Sequence, residues 1–194
     1  MVRRAGLSAL IALLLSTSSV AAATATVKMS NYAFSPKKQT VTLGNSVQWK
    51  NVSGKKHSAM PTVNWSWGGV TVAAGATSAT VTPTQAGTFR YFCSFHPSLM
   101  TGKIKVPMTV DQTAGTTATY FTLTLGTVTA PGVSVHDVWV RQNGGEWQLR
   151  VSTQATQTSI FFPSAGTWEV RTRMRWQLGS ATSGWSPITT LQVF

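Results

Sequence analysis

The chain has 194 residues, of which 42% are hydrophobic and only 10% are charged, and its formal net charge is +12. This length suits one large domain or two small ones. Few Glu, Lys and Leu residues and many Thr, Val, Ser and Gly residues argue against a helical protein and favour β-strands. Because no Asp or Glu precedes Asp111, hard-cation sites and Ser-His-acid triads are excluded from the first half.

The N-terminus has the features of an export signal. Two arginines precede the apolar run LSALIALLL, and small residues follow, with cleavage expected after Ala23 or Ala25. The run is shorter than the roughly 20 residues that a membrane span needs. We therefore predict a signal peptide over 1–23, no transmembrane anchor, and an exported protein that is periplasmic, on the cell surface or extracellular.

Short strand-like runs alternate with turn residues along the rest of the chain, beginning with ATVKMS and QTVTLG. The stretch DQTAGTTAT is small and polar, as is typical of a linker. Strand-like runs then resume to the C-terminus. This pattern predicts an all-β protein with a sandwich or barrel at 24–110, a linker at 111–118 and a second β domain at 119–194.

The only cysteine lies in the segment RYFCSFHPSLMTGKIKV. Cys93 ends a strand-like run, His96 and Met100 follow it in a loop, and His57 follows the apparent end of another strand. One thiolate, two imidazoles and a thioether are the donor set of a blue copper site, in which Met is a weak axial ligand. Zinc sites rarely use Met. An exported chain with a single cysteine has no internal disulfide, which favours a buried or metal-bound thiol.

WKNVSGKKH, followed by YFCSFHPSLMTGKIKV, resembles the cupredoxin family of plastocyanin, amicyanin and azurin over about residues 26–110. The resemblance implies a Greek-key β-sandwich that binds one type 1 copper ion. It also implies that Asn51 fixes the site through hydrogen bonds. The ligands that it implies are His57, Cys93 and His96 in the equatorial plane and Met100 in the axial position.

The motif departs from the family in two places. The two residues between Cys93 and His96 resemble plastocyanin and amicyanin, whereas the three between His96 and Met100 resemble azurin. Ser53 stands where many relatives have Asp, and we expect it to loosen the first ligand loop. Two other methionines are poorer axial candidates and are expected to be packing residues: Met60 and Met108.

Two tryptophans, Trp65 and Trp67, follow His57 closely. They either pack in the core or help to form an apolar docking patch at an exposed edge of His96. The other members of such a patch would be Met60, Pro97 and Leu99.

The segments DVWVRQNGGEWQLRVS, GTWEVRTRMRW and SGWSPITTLQV resemble the later strands of a fibronectin type III domain. The resemblance implies a spacer or binding module. Arg171, Arg173 and Arg175 alternate along one strand. They either form a solvated face, stacked on Trp side chains, or bind an anionic surface. His136 has no ligand-like company and is expected to be structural.

These features predict an exported one-electron carrier that is not an enzyme, because a copper oxidase or nitrite reductase needs further His ligands. The alternatives are a copper carrier or buffer, and a cell-surface binding module with a vestigial copper site. The expected partners are a redox protein and an anionic cell-surface component. The positive charge of the first half would suit an acidic redox protein. Nucleic acid is not expected, because no binding motif accompanies the positive charge.

Overall fold

A computed structural model describes residues 23–194, so the predicted signal peptide lies outside the described residues except for Ala23. Over the described range the chain forms sixteen strands and no helix, which confirms the prediction of an all-β protein. None of these residues forms a helix that is long and apolar enough to cross a membrane.

The first half folds into two sheets around one core. A three-stranded sheet has the order β2-β1-β4, with β1 parallel to β4, and a five-stranded sheet has the order β3-β8-β7-β5-β6. The strands are β1 (Thr24–Ser30), β2 (Ala33–Ser35), β3 (Lys38–Thr40), β4 (Ser46–Asn51), β5 (His57–Pro61), β6 (Val70–Val72), β7 (Gly87–Phe92) and β8 (Thr101–Val106).

Alternation along these strands explains the sandwich. In β4, Val47 and Trp49 are buried and their neighbours are more exposed, and in β8 the buried positions include Ile104 and Val106. Because successive side chains point to opposite faces of a sheet, this period of two aims one face of each strand at the core. Residues from both sheets meet in a single hydrophobic cluster.

The second half also forms two sheets, with the orders β10-β16-β15-β12-β13 and β14-β11-β9. Its own hydrophobic cluster includes Phe121, Leu123, Val138 and Leu191. The strands are β9 (Thr109–Val110), β10 (Ala114–Gly115), β11 (Phe121–Thr124), β12 (Ser134–Gln142), β13 (Gln148–Thr153), β14 (Gln157–Ile160), β15 (Gly166–Trp176) and β16 (Thr189–Val193).

The arginines of β15 stack on tryptophans. The Arg171 guanidinium lies 3.9 Å from the ring centroid of Trp147 and 4.1 Å from that of Trp185, and Arg173 lies 4.5 Å from Trp185. Arg175 instead donates two hydrogen bonds to the Asp137 carboxylate. These guanidiniums therefore have partners within the second half. This agrees with the interpretation that the arginines form a face stacked on Trp side chains.

The segment 111–118 packs against the second half. Within it, β10 pairs in parallel with β16, and the Asp111 carboxylate accepts a hydrogen bond from the backbone N–H of Thr122 at 3.0 Å. The domain boundaries themselves remain a prediction.

The two halves share backbone hydrogen bonds. Thr88, in β7, and Gly184 exchange two N–H to C=O bonds of 2.8 Å, and the Thr88 hydroxyl donates to the Trp185 carbonyl at 2.6 Å. The Ala86 N–H donates to the Leu125 carbonyl at 2.7 Å. Strand β7, which leads to Cys93, is thus fixed to the second half at its start.

His136 is fully buried between the two halves. Its Nε2 lies 2.8 Å from Oε1 of the buried Gln85 and its Nδ1 lies 3.5 Å from the Thr172 hydroxyl. An amide oxygen only accepts, so Nε2 carries a proton. Burial lowers the pKa of His136 to about 4. The structure agrees with the expectation that this histidine is structural.

We expect the stability of the metal-free protein to fall as the pH is lowered from about 6.5 to 4. The neutral His136 of the folded state resists protonation, whereas the same residue in the unfolded chain takes up a proton below about 6.5. The stabilisation is fully present above that pH, and its loss at pH 4 amounts to about 3 kcal/mol. Urea unfolding between pH 7 and 4 measures it.

The matched variant is His136→Asn, which keeps a polar group and removes the titration. Its stability at pH 7 should be lower than that of the wild type because the hydrogen bond to Gln85 is weakened. Its stability should also fall less steeply with acid. Parallel curves for the two proteins would contradict the assignment.

Candidate metal centre

Three of the predicted site residues converge at one end of the first sandwich. The Cys93 Sγ lies 3.6 Å from the His57 Nδ1 and 3.7 Å from the His96 Nδ1. One potential ligand atom from each residue lies within 4.8 Å of the other two. His57 and Cys93 are buried and His96 is partly exposed. Among residues 23–194, no other group of three His, Cys, Asp or Glu residues comes together in this way.

The sheet and its connecting loop place these side chains. His57 begins β5, and Cys93 directly follows the last residue of β7. The loop after Cys93 is closed by backbone hydrogen bonds: the Cys93 N–H donates to the Met100 carbonyl at 2.9 Å, and the Met100 N–H donates to the His96 carbonyl at 3.0 Å. The two strand ends and this short closed loop therefore bring their side chains to one point.

Met100 is fully buried and belongs to the same hydrophobic cluster as Cys93. The two alternative axial candidates, Met60 and Met108, have other surroundings. Met108 is buried in the hydrophobic cluster of the second half. Met60 pairs across the sheet with Phe92 and directs its sulfur toward Gly69. Met108 is a packing residue, as expected, and Met60 packs against the backbone of Gly69.

The Cys93 sulfur has a backbone donor that the sequence motif does not indicate. The Ser58 N–H lies 3.4 Å from Sγ, and the Ser58 hydroxyl accepts a hydrogen bond of 2.8 Å from the Ser94 N–H. A donor aimed at sulfur stabilises the thiolate and fixes its orientation. The only sequence signal for this backbone donor is the position of Ser58 next to His57.

Asn51 connects the first ligand loop to the core. The Asn51 side chain is fully buried, and its amide donates to the carbonyls of Lys55 at 2.7 Å, Ala73 at 3.0 Å and Val72 at 3.1 Å. Its Oδ1 accepts from the N–H of Ser53 at 3.0 Å and from the Ser53 hydroxyl at 2.8 Å. Ser53 therefore closes this loop, whereas the sequence led us to expect a looser one.

His57 and His96 differ in environment. Burial lowers the pKa of His57, and the nearby positive charges of His96 and Lys55 lower it further. The His57 Nδ1 is the nitrogen that faces the thiol, and the His57 Nε2 is buried without a hydrogen-bond partner. The His96 ring meets the ring of Tyr32 edge-on at 4.6 Å between centroids. Tyr32 adopts a φ of 62°, which is uncommon for a residue other than glycine.

An apolar patch surrounds the exposed side of His96. We define it as Tyr32, Phe95 and Leu99, whose exposed fractions are 44%, 46% and 68%. Lys55 lies 5.9 Å from the Tyr32 ring centroid and Lys56 lies 5.0 Å from that of Phe95. This patch is therefore bordered by positive charge.

The two tryptophans near His57 do not contribute to this surface. Trp65 and Trp67 are only 5% and 7% exposed and belong to the core. Trp67 packs edge-on against Phe89, with ring centroids 5.7 Å apart. Of the two interpretations that the sequence left open, core packing is correct, and a docking patch built on these tryptophans is wrong.

The donor set fits a soft, redox-active metal. A thiol and two imidazoles meet without a carboxylate, which suits copper and does not suit calcium or magnesium. The unpaired Cys93 thiol is fully buried, and the side-chain nitrogens nearest to it both belong to imidazoles. Each of these groups is a ligand once it loses its proton, because metals bind thiolate and neutral imidazole.

We expect Asn51→Ala to destabilise the metal-free protein by roughly 2–4 kcal/mol, because it removes a fully buried side chain that makes five hydrogen bonds to the surrounding loops. Ser53→Ala removes one hydroxyl and should cost about 1 kcal/mol. Urea unfolding at pH 7 measures both. An Asn51→Ala protein as stable as Ser53→Ala would show that the network contributes little to this loop.

Comparison with known proteins identifies the family. The family described as "Cupredoxin-like domain" matches residues 5–106, more than half of the chain. The chain is also similar to a solved structure of an oxidised amicyanin mutant at 23% identity, which covers 42% of this chain and 80% of that one with a TM-score of 0.39. A purple cupredoxin from Nitrosopumilus maritimus is similar at 23% identity over 42% of this chain and 98% of its own, with a TM-score of 0.37.

Among curated proteins, no match was found. The family match spans the complete set of residues that converge in the structure, from His57 to Cys93 and His96. The chain belongs to the cupredoxin-like domain family.

Proposed function

We propose that this protein is an exported blue copper protein that carries one electron at a time through a single type 1 copper site. The observation that carries the proposal is the convergence of Cys93 Sγ with the Nδ1 atoms of His57 and His96, at 3.6 and 3.7 Å, in one buried cluster. The family assignment agrees with the prediction that the chain is not an enzyme.

In this proposal His57, Cys93 and His96 are the equatorial ligands and Met100 is the axial one. The first three supply two nitrogens and a sulfur, the trigonal set of blue copper centres. The burial of Met100 beside Cys93, with the backbone bond between them, supports its assignment over Met60.

Copper, when bound, would supply the couple between Cu(I) and Cu(II). The residues of this chain supply a fixed geometry. The Ser58 N–H supports the thiolate, the Asn51 network fixes the loop before His57, and backbone bonds close the loop after Cys93. Burial of His57 and Cys93 excludes water from their side of the site. A site whose geometry changes little between two oxidation states has a small reorganisation energy for electron transfer.

His96 is the proposed exit for the electron, because it is the ligand with an exposed side. The apolar patch of Tyr32, Phe95 and Leu99 around it offers a surface from which water is readily displaced. Lys55 and Lys56 at its border favour an acidic redox partner.

The domain organisation is part of the same proposal. It comprises the cupredoxin domain at 24–110, a connecting segment at 111–118 and a fibronectin type III-like domain at 119–194. The all-β sheets of the second half and the stacking of Arg171 on Trp147 and Trp185 support it. The export signal predicted at 1–23 supports a periplasmic, cell-surface or extracellular location.

Addition of copper(II) to the purified protein should produce an intense visible band from charge transfer between thiolate and copper. Cys93→Ser should abolish this band, since it removes the sulfur, and His57→Ala should abolish or strongly shift it. Met100→Leu should keep the band and change the midpoint potential, because the axial ligand tunes the potential. Absorption spectroscopy and redox titration measure both effects.

Met108→Leu is the matched control, because Met108 is a buried methionine that packs in the other hydrophobic cluster, away from the proposed ligands. It should leave both the band and the potential unchanged. A colourless wild-type protein would favour the vestigial site. If the band were unchanged in His57→Ala, the ligand assignment would be wrong.

We expect Leu99→Lys to slow electron exchange between oxidised and reduced copies by about tenfold, because it places a charge in a surface that two cationic copies must bring together. Line broadening in NMR spectra of mixed oxidation states measures this rate. Leu178→Lys changes a leucine of the second half that is also largely exposed, and it should have little effect. Negligible exchange in the wild type, with fast copper transfer to a chelator, would favour the copper carrier.

A further inference from the structure

A groove of about 710 Å³ crosses the outer face of the five-stranded sheet in the first half. Four of the residues that line it are cationic: Lys37, Lys38, Arg90 and Lys103. Its lining also includes the apolar residues Phe92 and Pro97. The volume is within the range of sites that bind compact ligands or short peptide segments.

The cations of this groove are in register. Lys103, in β8, pairs with Lys38 in β3 on one side and with Arg90 in β7 on the other. Because paired residues on neighbouring strands lie side by side on one face, three positive charges form a row across the sheet. Like charges placed directly opposite one another destabilise a sheet.

The first half contains no charge to neutralise this row. No Asp or Glu precedes Asp111 in the sequence. Within the described part of the chain, every salt bridge belongs to the second half and uses Asp137 or Glu169. The row is therefore complementary to a negative partner that this domain does not supply.

The apolar part of the groove indicates the class of partner. Phe92 and Pro97 lie among the cations, so the groove combines point charges with a surface that an apolar side chain would cover. A free phosphate has no group for that surface, whereas an acidic peptide segment with interspersed apolar side chains would use both parts.

We infer that this groove is a docking site for an acidic peptide segment of a partner protein, whose carboxylates meet Lys38, Lys103 and Arg90 and whose apolar side chains cover Phe92 and Pro97. This inference goes beyond the proposed function and does not depend on copper, since none of these residues is a proposed ligand.

The site is tested with a fluorescein-labelled peptide of eight Glu and two Phe residues, added to the full chain in the metal-free state at low ionic strength. The double variant Arg90→Gln, Lys103→Gln should weaken binding by about tenfold or more, because it removes two adjacent charges of the row. NMR spectra should show the backbone amides of Phe92, Thr101 and Gly102 shifting on addition of the peptide to the wild type.

The matched control is the double variant Lys28→Gln, Lys50→Gln. These two exposed lysines also pair across neighbouring strands, but they lie in the three-stranded sheet. The control loses the same net charge, so it should weaken binding less than about threefold. Equal weakening by both double variants would overturn the proposal, because binding would then follow net charge alone.

Vesicles of phosphatidylglycerol and inorganic phosphate test the other anionic partners. Vesicle binding that needs Arg90 and Lys103, with no peptide binding, would overturn the proposal in favour of a lipid surface. Complete displacement of the peptide by millimolar phosphate would overturn it in favour of a simple anion site. The spectrum with copper(II) is recorded on the same variants, so that a failure of the copper site is seen separately from a failure of this groove.

Discussion

The burial of one thiol against two imidazoles is the constraint on which the rest of this domain depends. Cys93 is fully buried, and the nearest polar groups to its sulfur are the His57 and His96 nitrogens and the Ser58 N–H. If one of the imidazoles took up a second proton, no carboxylate of the first half could balance its positive charge, because the first half contains none. A metal that accepts a thiolate and two neutral imidazoles satisfies all three groups at once. The Asn51 network and the closed loop after Cys93 fix these donors where such an ion would lie.

The sequence was sufficient to predict this cluster because most of its information is local. Cys93, His96 and Met100 lie within one short loop, and the segment with Asn51 and His57 is the end of one strand and the start of the next. Alternation of polar and apolar residues was sufficient to predict an all-β chain.

The remaining features depend on tertiary packing, which a sequence pattern does not encode. Trp65 and Trp67 lie near His57 in sequence, yet they fill the core, because a large apolar ring gains more from burial than from lining a surface. Tyr32 precedes His96 by more than sixty residues, and only the fold shows that their rings touch. Ser53 was expected to loosen its loop, but its hydroxyl takes part in the bonds that close it.

The relation between the two halves is likewise a tertiary property. A small, polar segment between strand-rich regions is typical of a linker, yet here its short strand β10 pairs with β16 and the two halves share the hydrogen bonds of Thr88 and Gly184. The buried His136 and Gln85 fill the interface. Because β7 is fixed to the second half at one end and leads to Cys93 at the other, the second half restrains the strand that presents the thiol.

The distribution of charge separates two surfaces around one site. The patch of Tyr32, Phe95 and Leu99 faces solvent on the His96 side and has lysines only at its border. The groove is different, because three of its cations are in register and two of its residues, Phe92 and Pro97, are the direct neighbours of Cys93 and His96 in sequence.

If the proposed site contains copper, a carboxylate in this groove favours the more positive of its two oxidation states. By linkage, the oxidised protein must then bind the acidic segment more tightly than the reduced protein does. A partner docked in this way would be released more readily once it had delivered its electron.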